Sequence, residues 1–415
     1  MDDNLALSTK PPANQESPAR IGLCALGSTY FVSYAALGLL FPFLPLVLHS
    51  KGLTDAQIAL AMAMSGVSSL IVPNFFAHIA DRFLSCRRLL PLLLTGNALA
   101  LLLLTRTTTL LDSSIVIFLL FATLVPSLSM LDSFTLDIVK NQPPSAIPPI
   151  TFQRYRIWGS LGFIAPACLM IFLPDWRALT ATDLLIIGAS ASMIAACIGL
   201  ALPSNIPHRN NPTRPLYAAI QAAWKPPLRG VFLANTIAGM GLATFFIVFP
   251  RFLHELNFSA VEIGLITNIG VASEILMMPF IGSFISFIGL KAMIIIGFAS
   301  IPLRLFTLAM YPSQTIVLLT QILHGPLVIG VMIAIPIYLQ EHADNSFRHS
   351  LQNLNITVSH GIARCLGPAI AALYFSNSIE TEANQLSISF IAIGLSGIFA
   401  AVLCAAPSKK NRQRA

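Results

Sequence analysis

Charge is what this sequence has least of. Aspartate, glutamate, lysine and arginine make up only 10% of its 415 residues, where ordinary soluble domains carry roughly 25%. Hydrophobic residues make up 55%, and the mean hydropathy is +0.77. A water-soluble fold of this composition would expose far too much apolar surface, so the surrounding medium is expected to be lipid. Paired cysteines are also missing. Cys24, Cys86, Cys168, Cys197, Cys365 and Cys404 lie mostly inside apolar runs, where cysteine behaves as a small hydrophobe. Neither a disulfide framework nor a metal site is implied. A cleavable leader is not evident: residues 1–20 are polar, contain Pro11, Pro12 and Pro18, and read as a disordered tail. The apolar run that follows is too long for a signal-peptide core. The formal net charge of +7 does not imply nucleic acid as a partner, because the basic residues sit in short loops rather than in one patch.

What is present is a succession of long apolar runs. A helix crossing the hydrocarbon core needs about 20 such residues, and open backbone cannot cross. This predicts an all-α membrane protein with spans near 21–48, 56–80, 88–105, 113–138, 154–173, 182–202, 230–253, 260–286, 291–310, 314–339, 347–375 and 385–406. Lys51, Arg106, Arg177 and Arg251 fall on one side, and Arg304 and Arg364 inside spans. The rest of the 24 lysines and arginines lie on the side holding both termini, which the positive-inside rule makes cytoplasmic. A multi-pass protein of the plasma (cell inner) membrane is expected.

The segment 203–228, with Pro207, Pro212 and Pro215 among basic residues, reads as a cytoplasmic linker. It separates two six-helix bundles, 21–202 and 229–406, with a short tail at 407–415. The halves repeat at a fixed offset. Pro45-Leu46-Val47-Leu48-His49 matches Pro250-Arg251-Phe252-Leu253-His254, and Thr54-Asp55-Ala56-Gln57-Ile58 matches Ser259-Ala260-Val261-Glu262-Ile263. Thr54 with Gln57, and Ser259 with Glu262, have the form of capping boxes that open a helix. Parallel six-helix repeats place a solute site between the halves near the midplane.

Few ionisable groups lie inside the spans, and each costs at least ~2.5 kcal/mol at the bilayer centre. Asp132 is deep in span four, with Asp137 nearer its end. Glu274 is in span eight and Arg304 in span nine. Gln321 and His324 share a face of span ten, and Asn353, Thr357, His360 and Arg364 form a polar stripe on span eleven. These groups either lock helices together as paired charges or serve function. Glu274, Arg304 and His324 form a candidate proton-coupling set, in which movement of Arg304 toward or away from Glu274 would switch its proton occupancy. Tyr34 in span one and Asn268 in span eight join the candidates for solute contact.

Several segments resemble the major facilitator superfamily, in the branch holding lactose permease, nucleoside–proton symporters and phenylpropionate permease. They are Phe41-Pro42-Phe43-Leu44-Pro45-Leu46-Val47-Leu48-His49, Arg154-Tyr155-Arg156-Ile157-Trp158-Gly159-Ser160-Leu161-Gly162-Phe163, Ser273-Glu274-Ile275-Leu276, Arg304, and Leu323-His324-Gly325. The resemblance covers nearly the whole chain. It implies two pseudo-symmetric bundles, a gating role for Asp81 and Arg82 after span two, and solute contacts from Asp132, Arg156 and Phe163. Leu327 stands where lactose permease has its coupling glutamate, and Gln321 where it has a lysine. Sugar specificity is therefore not implied, and Glu274 is left as the best candidate proton carrier. The expected function is secondary active transport, as proton-coupled symport of a small organic solute of the aromatic acid, sugar or nucleoside class. A uniporter or exporter is the alternative, and a non-transporting sensor a remoter one. No cofactor and no enzymatic chemistry are implied, and a monomer in the bilayer is expected.

Overall fold

The structure, a computed structural model, describes residues 16–41, 43–82, 84–141, 152–170, 172, 179–203, 216–342, 351, 354–377 and 382–405. The spans are Glu16–Leu40 (one), Asp55–Arg82 (two), Cys86–Arg106 (three), Leu110–Asn141 (four), Phe152–Met170 (five) and Ala181–Gly199 (six). The second set is Leu228–Glu255 (seven), Glu262–Ile288 (eight), Leu290–Met310 (nine), Gln314–His342 (ten), Leu354–Asn377 (eleven) and Glu382–Ala405 (twelve). Eleven described helices are long and apolar enough to cross a membrane by length and composition. Phe152–Met170 makes the twelfth crossing; Gln153, Arg154 and Arg156 near its start make it the more polar one. Large apolar side chains point outward, Phe287 at 88% exposure, with Leu103, Leu111 and Val402 also well exposed. Such a surface fits hydrocarbon, not water.

The repeat read from the sequence is visible in the packing. Span one packs on five and six as span seven packs on eleven and twelve. Spans three and six pair as nine and twelve do, and two and four as eight and ten do. The two seams between the halves, spans two with eleven and five with eight, are related in the same way. Both capping boxes form. Thr54 N–H donates to Gln57 Oε1 at 3.0 Å and Gln57 N–H to Thr54 Oγ1 at 3.3 Å. Ser259 N–H donates to Glu262 Oε2 at 2.7 Å and Glu262 N–H to Ser259 Oγ at 3.4 Å.

Two expectations need correction. Residues 16–20, assigned to the tail, already belong to the first helix. The segment 21–48 is not one helix: Glu16–Leu40 stops and a short helix, Leu44–Ser50, restarts with Pro45 in its first turn, where the missing N–H costs nothing. Its repeat mate Pro250 lies inside a continuous helix, so the two halves diverge here. Within the linker, Leu216–Ala223 is a helix.

Close packing at the seams relies on glycine. A Cβ added at Gly66 of span two would run into the backbone of Arg364 and Cys365 in span eleven. Gly66→Leu is expected to wedge this seam open, costing about 2 kcal/mol or more by overpacking. A lowered Tm in detergent and loss of transport are the readouts; an unchanged Tm would contradict the tight seam.

Candidate functional site

The first half contributes a tyrosine pair, a carboxylate and an arginine. Tyr30 and Tyr34 lie one turn apart on span one, with ring centroids 6.3 Å apart. Tyr30 Oη donates to Asp132 Oδ1 at 2.8 Å and lies 3.0 Å from Thr135 Oγ1. The Arg156 guanidinium of span five sits over the Tyr34 ring, 4.5 Å from its centroid. Its Nη1 is buried and has no hydrogen-bond partner among the described residues. Phe163, two turns further along, is partly buried against the same tyrosine cluster. Tyr30 and Thr135 were not singled out from the sequence. The spacing of Tyr30 and Tyr34 was the available signal.

Glu274 reaches this cluster from the other half. Arg156 lies within electrostatic reach of both Asp132 and Glu274, yet neither carboxylate forms an ion pair with it among the described residues. Asn268 Nδ2 donates to Ile164 O at 3.3 Å, which ties span eight to span five beside this group.

Of the expected trio, Arg304 and His324 line one cavity, while the cation within electrostatic reach of Glu274 is Arg156. Arg304 is 4% exposed. It donates through Nη2 to Gln321 Oε1 at 2.8 Å, and its guanidinium lies 4.9 Å and 5.1 Å from the ring centroids of Phe245 and Phe249. Gln321, expected to touch solute, is buried and engaged with Arg304 and with Val317 O, 3.0 Å away. His324 shares a small, mostly apolar cavity with Arg304, Phe245 and Leu327. Spans eight and ten pack closely here. Ser273 accepts from Gly325 N–H at 3.0 Å, and Gly270 packs against His324 and Gln321, which directs that face of span eight toward span ten. Glu274, one turn beyond Gly270 on the same helix, has Arg156 as the cation within electrostatic reach.

The stripe on span eleven is also altered. Asn353 lies outside the described residues. Thr357 and His360 fall in a wider π turn, Thr357–Ile362, whose extra residue breaks ideal spacing. Arg364 lies beyond it, over the ring of Phe41, the residue just past the end of span one, at 5.4 Å. Asp81 and Arg82 end the second helix, and their side chains lie outside what the structure describes.

On the side away from the termini the halves are sealed in two layers. Arg251 Nη1, at the end of span seven, meets Asp55 Oδ1, at the start of span two, at 3.3 Å. Arg251 Nε lies 3.6 Å from Glu255. Beneath them Phe41 and Phe246 meet edge to face at 5.1 Å, and Leu39, Leu40 and Phe43 share an apolar cluster with Ile247, Ala371 and Ala372. A partly exposed pair contributes about 0.5–1 kcal/mol. Arg251→Ala is therefore expected to raise far-side labelling of a cysteine placed at Ala243, beneath the seal, roughly threefold. Exchanging Asp55 and Arg251 should restore the slow rate. No change in either variant would mean that the apolar layer alone holds the seal.

Two six-helix bundles related by a repeat, sealed on one side and presenting charged groups to each other in mid-membrane, define a secondary solute carrier of the major facilitator type. The MFS_1 like family model matches residues 23–383, and the chain belongs to that family. Among its relatives is the nucleoside permease NupG of Escherichia coli (strain K12), 23% identical over 347 residues, which cover 78% of this chain and 81% of the permease. The crystal structure of nucleoside transporter NupG superposes with a TM-score of 0.79 at 20% identity, covering 93% of this chain and 98% of that one. A POT family transporter in complex with 5-aminolevulinic acid gives 0.73 at 12% identity, covering 94% and 96%. These structural likenesses establish the shared fold.

Proposed function

We propose that this protein is a proton-coupled symporter for a nucleoside-class solute. It works by alternating access in the plasma (inner) membrane, with both termini in the cytoplasm. The observation that carries the reading is Arg156, whose buried Nη1 has no partner among the described residues and which lies within electrostatic reach of Asp132 of its own half and Glu274 of the other. A solute with several hydroxyls and a planar ring suits this group. Asp132 and Arg156 supply an acceptor and donors, while Tyr34 and Phe163 supply ring faces for a base to stack on. The names of the relatives, nucleoside permease and nucleoside transporter, support this class. Asn268 positions spans five and eight around the solute, and Gln321 positions Arg304.

Glu274 is the proton carrier, with Arg156 as the cation that reads its charge, while Arg304 and His324 hold spans nine and ten around it. The distribution of basic residues supports the orientation. With the seal of Asp55 and Arg251 on the far side, the structure then corresponds to a carrier closed to the outside. Asp81 and Arg82 act at the opposite, cytoplasmic gate.

Proteoliposomes test the reading. Exchange of labelled uridine or adenosine for unlabelled solute should be saturable, and net uptake should move protons inward. Absence of exchange with any purine or pyrimidine nucleoside would overturn the solute class. Exchange without proton movement would leave a uniporter.

A further inference from the structure

We propose that Arg364 forms a second solute-binding point, which takes an oxyanion, a carboxylate or phosphate, carried by the transported solute. The proposal deepens the carrier reading above and rests on it. Spans five and eleven occupy equivalent places in the two halves, and each sends an arginine onto an aromatic ring of span one or just past its end. Arg156 lies over Tyr34 at 4.5 Å and Arg364 over Phe41 at 5.4 Å. Phe41 still donates its N–H to Leu37 O at 2.8 Å, so the two rings lie seven helical residues apart. They are on one face of span one, about 10 Å apart along its axis. A nucleoside-sized solute bridges that separation.

The two arginines differ in what faces them. Arg156 has Asp132 and Glu274 within electrostatic reach. Arg364 makes no ion pair among the described residues, and no carboxylate figures among the influences on it. Its guanidinium lines a cavity between the halves with Phe41, Met62, Ser65, Phe121 and Phe246. That wall offers one hydroxyl, and Ser65 Oγ is already donated to Met62 O at 2.7 Å. A cation in so apolar a setting calls for a negative partner, which the wall does not supply and a bound solute does. A guanidinium suits an oxyanion because it donates two parallel hydrogen bonds.

The test compares a neutral nucleoside with its 5′-carboxylate and 5′-phosphate as competitors of exchange in proteoliposomes. The same compounds are also read by thermal shift on purified protein. Arg364→Gln is expected to lower the ratio of acid to neutral affinity about tenfold, and Arg364→Lys to recover part of it. An unchanged ratio in Arg364→Gln overturns the proposal, whatever happens to overall activity. A requirement of neutral-nucleoside exchange for chloride or inorganic phosphate, lost in Arg364→Gln, would overturn it in favour of a free anion. If no nucleoside binds at all, the solute class has failed separately. The benzoate-to-benzamide ratio, with and without Arg364→Gln, then decides the role of Arg364 by the same criterion.

Discussion

Solute-driven proton uptake is expected to vanish in Glu274→Gln, while exchange of labelled for unlabelled solute survives. Exchange needs only loading and reorientation; net symport also needs a group that takes up and releases a proton with each cycle. Glu274 occupies the place for such a group. It comes from span eight of the second half and lies within electrostatic reach of Arg156 in span five of the first, so opening or closing the cleft between the halves changes the distance between the two charges. Glutamine keeps the shape and removes the proton. Concentrative uptake should therefore fall at least about tenfold and lose its dependence on external pH, whereas in the wild type uptake declines as external pH rises. Asp132→Asn is the comparison, read at solute concentrations that saturate its exchange, because Asp132 also contacts the solute. Asp132 is tied to Tyr30 of its own half at 2.8 Å, and that bond does not stretch when the halves separate. Persistence of solute-driven proton movement in Glu274→Gln, with its loss in Asp132→Asn, would transfer the role to Asp132.

The second large effect is expected at Arg156. Truncating one member of a buried, charged hydrogen-bonding group costs 2–5 kcal/mol, so Arg156→Ala should weaken solute binding by about 3 kcal/mol, roughly 100-fold. Two charges would also be left facing each other across the cleft. Arg156→Lys should recover only part of the affinity, because an ammonium does not stack flat on Tyr34 as a guanidinium does. Direct binding by calorimetry separates this from a defect in reorientation. Wild-type affinity in Arg156→Ala would remove Arg156 from the solute site and with it the main support for the proposed function.

The proposed proton-coupling device thus differs from the one its residues suggest in isolation. Glu274, Arg304 and His324 look like a set because all three are ionisable groups inside neighbouring spans. In the folded chain Arg304 is engaged by Gln321 and two phenylalanine rings, which ties it into the second bundle. The charge that communicates with Glu274 belongs to the first bundle. Coupling across the cleft rather than within one bundle gives the proton a direct view of the conformational change, because only distances between the halves alter when rigid bundles rock.

Sequence alone determined whatever depends on solvent and on neighbours along the chain. Long apolar runs specify helices in lipid because backbone groups there have no other partner. Thr54 with Gln57 and Ser259 with Glu262 cap their helices with bonds that span three residues, so the repeat was legible from the residues themselves. Tertiary structure decided which charges meet. Asp55 and Arg251 are 196 residues apart, and Tyr30 and Asp132 are 102 apart. No local pattern relates them. Whether Glu274 turned toward Arg304 or Arg156 depended on the rotation of span eight about its own axis. That rotation is set by the packing of span eight against its neighbours, which exists only once the helices are assembled.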